Sequence, residues 1–206
     1  NGIPGLTGLE ALAQTQDDLK ALWAAFGTTS AAPMLHVRGQ TPEGDLPLSA
    51  TANRFEITPR DLVKLWQDFN AADEQIDLVA IGSPHASLTE CRNFADLLGD
   101  KRCNDATKTI VTVGRGTLSE MTTEGILERL QRAGVQVVPD ICWCSITEPI
   151  FPISTAVLMT NSGKYAHYGK GLTGRDVRFG SLKDCARAAV TGRASAGLPW
   201  WLMSEK

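Results

Sequence analysis

Two cysteines flank a tryptophan in the run Asp140-Ile141-Cys142-Trp143-Cys144, shortly before Pro149 and Pro152. A thiolate is both a strong nucleophile and a soft metal ligand, so a close pair raises the question of metal binding. Side chains at i and i+2 share a face only in extended backbone, and no second Cys-x-x-Cys or His pair completes a zinc set. Spacing alone therefore leaves the pair as small buried hydrophobes; Cys142, Cys144 and His167 would be the alternative zinc set. A further thiol, Cys185, follows Ser181-Leu182 at a helix start, where the helix N-terminus favours a thiolate.

Other polar residues gather after apolar runs. In GSPHASLTE (82–90), Ser87 and Glu90 have capping-box spacing. Ser83 and His85 fall in the strand-to-helix turn beside exposed backbone N–H groups, a place for an anion. Arg115 stands between two glycines, which leave its fork unobstructed for a substrate carboxylate. The run MTNSGKYAHYGKG (159–171) carries Thr160, Asn161, Ser162, Lys164, two tyrosines and His167. It lacks the Walker A pattern and reads as a substrate-binding loop whose donors suit a carboxylate or phosphate.

The elements that must position these residues alternate. Residues 6–24 have helical spacing after Thr7 as a cap, and 27–37 lead into a buried strand. Residues 41–56, with Pro42, Gly44, Asp45 and Pro47, read as a connection, and Thr58-Pro59 opens a helix to about residue 70. Strands are then expected at 76–82, 109–113, 135–139 and 155–160, and helices at 87–99, 123–133 and 182–191. Short apolar runs joined by helical crossovers mark an α/β fold with a mostly parallel sheet layered with helices. Two parts follow: residues 1–56, a helix and strand segment continuing from something upstream, and 57–206, an α/β unit carrying the site loops. In such sheets ligands bind beyond the carboxyl ends of the strands, which is where the loops above fall. Trp200 and Trp201 are expected to pack, given the area each ring must bury.

Composition narrows the classes. With 206 residues and 43% hydrophobic content the chain can fill a core. A net charge of −3 and a pI near 5.6 argue against a nucleic-acid or membrane-surface partner. No run of about 18 apolar residues and no signal peptide is visible, which points to the cytoplasm. Five cysteines are an odd number and argue against a disulfide framework. The start, NGIPGLTGLEAL, has no methionine and opens on Asn-Gly and Pro-Gly pairs that usually follow something.

Taken together, GSPHASLTE, Asp140-x-Cys142-Trp143, MTNSGKYAHYGKG, FGSLKDC (179–185) and AAFGTTSAAPMLHVRGQTPE (24–43) resemble the catalytic domain of the aconitase X family, over nearly the whole chain. The resemblance implies an aconitase-like fold of repeated βα units and a dehydratase that uses an iron–sulfur cluster as Lewis acid on a substrate hydroxyl. It also implies two partners, the upstream half of the catalytic domain and a smaller swivelling domain or subunit. The implied reaction is dehydration of cis-3-hydroxy-L-proline to pyrroline-2-carboxylate. Phosphomevalonate or another hydroxy acid is the alternative substrate, and a non-catalytic small-molecule binding subunit the alternative of another class.

In the family pattern three cysteines hold the cluster. Cys142 and Cys185 match two of them, and the third lies in a Cys-Thr-Pro-Tyr motif that this sequence lacks. The cluster type, 2Fe-2S or 4Fe-4S/3Fe-4S, stays open, as do the roles of Cys91, Cys103 and Cys144. The expected catalytic residues are His85, Ser162 and Lys164, with Ser83, Arg115, Thr160 and Asn161 binding substrate. The base is expected on the absent small domain.

Overall fold

The computed structural model describes residues 2–203; Asn1 of the opening Asn-Gly pair and the charged end of the tail at 204–206 lie outside the described residues. In chain order the elements are β1 (Gly5–Leu6), α1 (Gln16–Thr29), β2 (His36–Val37), α2 (Pro59–Phe69), β3 (Leu78–Ala86), α3 (Leu88–Leu98), β4 (Lys108–Val113), α4 (Arg115–Thr123), α5 (Ile126–Arg132), β5 (Gln136–Pro139), β6 (Val157–Thr160), α6 (Gly163–Thr173), β7 (Asp176–Phe179), α7 (Leu182–Thr191) and a terminal 3-10 turn at Trp200–Leu202. Five strands form one parallel sheet in the order β5-β4-β3-β6-β7, and β1 pairs with β2 in a separate parallel pair. The expected α/β fold with mostly parallel strands is therefore present.

Strand alternation sorts the core into two layers. Val79, Ile81, Val111 and Val113 point to one face, where Phe94, Leu98, Met121, Leu130, Cys185 and Ala188 cover them. Leu78, Ala80, Ile110 and Leu158 point to the other, against Trp143, Phe151 and Tyr165. Each fully buried aliphatic or aromatic side chain here contributes about 1.5–3 kcal/mol. Among the described residues α1 and α2 bury no side chain completely, and no helix is long and apolar enough to cross a membrane.

Several expectations shift. The first helix starts at Gln16, capped by Thr15 and not Thr7, because Thr15 and Asp18 form a reciprocal capping box. The strand expected within 27–37 shrinks to His36–Val37. The helix expected at 123–133 starts later, as α5 after Gly125, whose φ of 71° a helix interior does not allow, and a helix that was not expected, α4, precedes it from Arg115. The run read as a glycine-rich loop folds into α6, followed by the edge strand β7. Trp200 and Trp201 stay 78% and 50% exposed, and Trp201 makes an edge contact with Trp66 at 6.1 Å.

Candidate active site

The rim begins where β3 breaks register. The β3–β4 ladder runs evenly to Ile81 and resumes only at Ala86, so Gly82-Ser83-Pro84-His85 bows out of the sheet. Gly82 has φ 102°, and a Cβ added there would press on the Thr112 carbonyl and lie 2.6 Å from Thr112 Oγ1. Only glycine fits that conformation and that approach. Thr112 Oγ1 donates to the Gly82 carbonyl at 2.7 Å and locks the bow. Ser83 is thereby buried, with an Oγ that makes no hydrogen bond among the described residues. His85 Nε2 lies 3.0 Å from the Ile141 carbonyl, and because a carbonyl only accepts, the proton belongs on Nε2.

That hydrogen bond ties the bow to the thiol loop. After β5 the chain turns at Asp140, which has φ 59°, and Asp140 accepts from Arg115 N at 2.9 Å and Nε at 2.8 Å. Trp143 then drives the loop inward: it is 1% exposed, its Nε1 donates to the Ile81 carbonyl at 2.8 Å, and it packs on Tyr165 and Phe151. With the indole buried, its neighbours Cys142 and Cys144 turn toward each other at the rim, with sulfurs 2.8 Å apart. Burial pushes the Cys142 thiol up, and its hydrogen bond to Cys144 pulls the Cys144 thiol down. The nearby Lys164 charge acts in the same downward direction on the exposed Cys144.

Lys164 comes from the first turn of α6. Ser162 caps that helix, accepting from Tyr165 N at 3.0 Å and donating to the Ser83 carbonyl; Thr160 Oγ1 in turn accepts from Ser162 N at 3.2 Å. Ser162 and Thr160 are buried and support the rim, and Asn161 is half-buried between them. Behind the bow, Lys20 of α1 pairs with Asp17 at 2.8 Å and with Glu90, and donates to the His85 carbonyl at 3.3 Å. Ser87 Oγ donates to Asp17 at 2.7 Å, so this cluster fastens α1 to the start of α3.

The structure therefore brings Ser83, His85, Ser162, Lys164, Cys142 and Cys144 to one rim. It does not bring Cys185 there. Cys185 is fully buried in the apolar layer under α7, on the sheet face opposite Trp143, and burial raises its thiol. Arg115 adjoins the thiol loop, but Asp140 occupies its fork. Cys91 and Cys103 are packed thiols, the former pushed up to about 12 by burial. Among the described residues no group of three Cys, His, Asp or Glu could hold a metal, and His167 is exposed and outside any such zinc set.

Comparison with known proteins decides the family. The family model described as "Aconitase X third domain" matches residues 76–191, and "Aconitase X second domain" matches residues 1–67.

The chain belongs to the aconitase X family.

Within this family it is 41% identical to a cis-3-hydroxy-L-proline dehydratase of Pseudomonas aeruginosa over 98% of its length, covering 36% of that protein. The corresponding protein of Hypocrea jecorina is 39% identical over 98% of the chain, which covers 35% of it. The crystal structure of Thermococcus kodakaraensis aconitase X in its holo form superposes with a TM-score of 0.79 at 28% identity, covering 92% of this chain and 47% of that one. The chain thus spans about a third of the length of the curated dehydratases it matches.

Two features escaped the reading of the aconitase X loops. Tyr168 lies at the same rim as Lys164, a relation at i and i+4 that shows only once residues 163–173 are seen as a helix. The Asp17, Lys20 and Glu90 cluster joins residues 70 positions apart, and local pattern carries no sign of it.

Proposed function

We propose that this chain is part of an iron–sulfur hydro-lyase that dehydrates cis-3-hydroxy-L-proline to pyrroline-2-carboxylate. The observation that carries the reading is the convergence of the Cys142–Cys144 pair, Lys164 and the buried Ser83 hydroxyl at the carboxyl end of a parallel sheet. Identity of 39–41% to hydroxyproline dehydratases, against 27–30% to phosphomevalonate dehydratase large subunits of Methanocaldococcus jannaschii and Methanothermobacter thermautotrophicus, supports the amino acid over the phosphorylated substrate.

The donor set fits part of a cluster site. Cys142 and Cys144 are thiols at an accessible rim beside a cation, as a cluster ligand and its neighbour require; Cys185, named by the family motif, is held in the core here. A cluster held there would supply a Lewis acid for the departing hydroxyl. Lys164 would bind the substrate carboxylate and stabilise the enediolate charge that follows loss of the proton alpha to it. The Ser83 hydroxyl adds a donor to the same group. His85 would hold the Ile141 carbonyl and with it the thiol loop, a positioning role. The upstream domain and the smaller swivelling domain complete the site, the latter contributing the base.

The test is turnover. The intact enzyme, purified without oxygen, is given cis-3-hydroxy-L-proline, and pyrroline-2-carboxylate is followed together with iron and sulfide content. Turnover that rises with iron content supports the reading; an iron-loaded enzyme without turnover overturns it. The iron content of Cys185→Ser assigns that thiol as ligand or core residue.

A further inference from the structure

Tyr168 has no part in the reaction outlined above, yet its surroundings call for a ligand. It stands one helical turn after Lys164, so the two share a face of α6, and Lys164 Nζ lies 5.9 Å from its ring centroid. Its hydroxyl is buried and makes no hydrogen bond among the described residues. The Ser83 and Cys144 side chains lie close enough to interact with that hydroxyl, short of full hydrogen-bond geometry, and the charges of Cys142 and Cys144 bear on it too. The Ser83 hydroxyl, on a residue 4% exposed, is equally unpartnered, and so is that of Tyr165 alongside, whose ring lies 5.7 Å from that of Tyr168.

Buried hydroxyls almost always find partners, and three unpaired ones in one place need an explanation. Each is an O–H donor, and the nearby charge is a lysine ammonium. What such a set lacks is an anionic acceptor with several lone pairs. A carboxylate meets that description, and the proposed substrate carries one.

We propose that Tyr168 is a substrate-binding residue whose hydroxyl, with Ser83 Oγ and Lys164 Nζ, receives the carboxylate of the substrate. The inference rests on the hydroxyproline dehydratase reading for the identity of the ligand. It assigns to Tyr168 carboxylate recognition, separate from proton transfer.

The test is Tyr168→Phe in the intact enzyme, read by calorimetric binding of pyrrole-2-carboxylate and of pyrrole-2-carboxamide, beside turnover. Because the hydroxyl makes no full hydrogen bond among the described residues, its removal breaks none, and Tm should stay within about 1 °C of wild type. A lost hydrogen bond to a charged group should weaken carboxylate binding about 10- to 100-fold and raise KM similarly, with the carboxamide unaffected. Unchanged carboxylate affinity, or equal weakening of both ligands, overturns the proposal. Wild-type enzyme that binds the carboxylate through Tyr168 but turns over no hydroxyproline overturns the function and leaves the subsite standing.

Discussion

Trp143 should decide both the stability and the chemistry of the rim. Its indole fills the layer between the sheet and α6, with ring centroids 5.6 Å from Tyr165 and 6.5 Å from Phe151, and its Nε1 satisfies the Ile81 carbonyl. Trp143→Phe keeps an aromatic ring but leaves that carbonyl, on a residue 1% exposed, without its side-chain donor. The cost is about 1–3 kcal/mol for the unmet group. Trp143→Ala adds a cavity and should cost about 3–5 kcal/mol. For a unit of this size each kcal/mol lowers Tm by roughly 2–4 °C, so Phe should lower it by roughly 2–12 °C and Ala by more. Both variants should also loosen the flanking thiols, and alkylation of Cys142 and Cys144 should quicken in proportion. The assay is thermal unfolding of the intact enzyme by circular dichroism, with labelling of the two cysteines by mass spectrometry. A Trp143→Phe enzyme with wild-type Tm and wild-type labelling would refute the claim that the indole anchors the loop.

Gly82→Ala should destabilise the enzyme by about 2–4 kcal/mol, since the added methyl meets Thr112 at a positive φ; urea unfolding checks it, and a neutral result would mean the bow is not fixed as described. Lys20→Met removes the cation shared by Asp17 and Glu90 and should cost about 1–3 kcal/mol, between exposed and buried pairs. In the wild type, burial acts to raise Asp17, but hydrogen bonds from Lys20 and Ser87 outweigh it and hold its pKa below 3.8; burial acts to lower Lys20, but the two carboxylates outweigh it and hold its pKa above 10.5. The cluster's contribution is therefore full between the two ordinary values, lost as pH falls through the Asp17 value below 3.8, and lost as pH rises through the Lys20 value above 10.5. Unfolding free energies across pH should show the difference between wild type and Lys20→Met shrinking at both ends.

How far the sequence spoke depended on how local the signal was. The sheet was legible because its strands, buried on both faces, are short apolar runs, and the Ser87–Glu90 and Thr58–Pro59 starts announced α3 and α2. The helix α6 was missed because Gly163, Gly169 and Gly171 lower helix propensity. The structure gives one of them a reason: a Cβ added at Gly169 would meet Val177 of β7 at 3.3 Å. Tertiary packing overrode propensity, and with the helix unseen the Lys164–Tyr168 pair went unseen too. The rule that sites lie beyond strand ends pointed to the rim where Ser83, His85, Lys164 and the thiol pair gather. It could not tell which way Cys185 points, because one residue's rotation on α7 decides between rim and core. Nor could it foresee that Asp140, after β5, would take the fork of Arg115, after β4.

Cys142, in the thiol loop after β5, is the proposed ligand thiol of the dehydratase site. The direct measurement is iron and sulfide content, visible absorbance and hydroxyproline turnover of intact Cys142→Ser beside wild type, with circular dichroism to establish that both are folded. The account predicts a folded variant that loses cluster absorbance and turnover together. A Cys142→Ser enzyme with full cluster content and full turnover would contradict it.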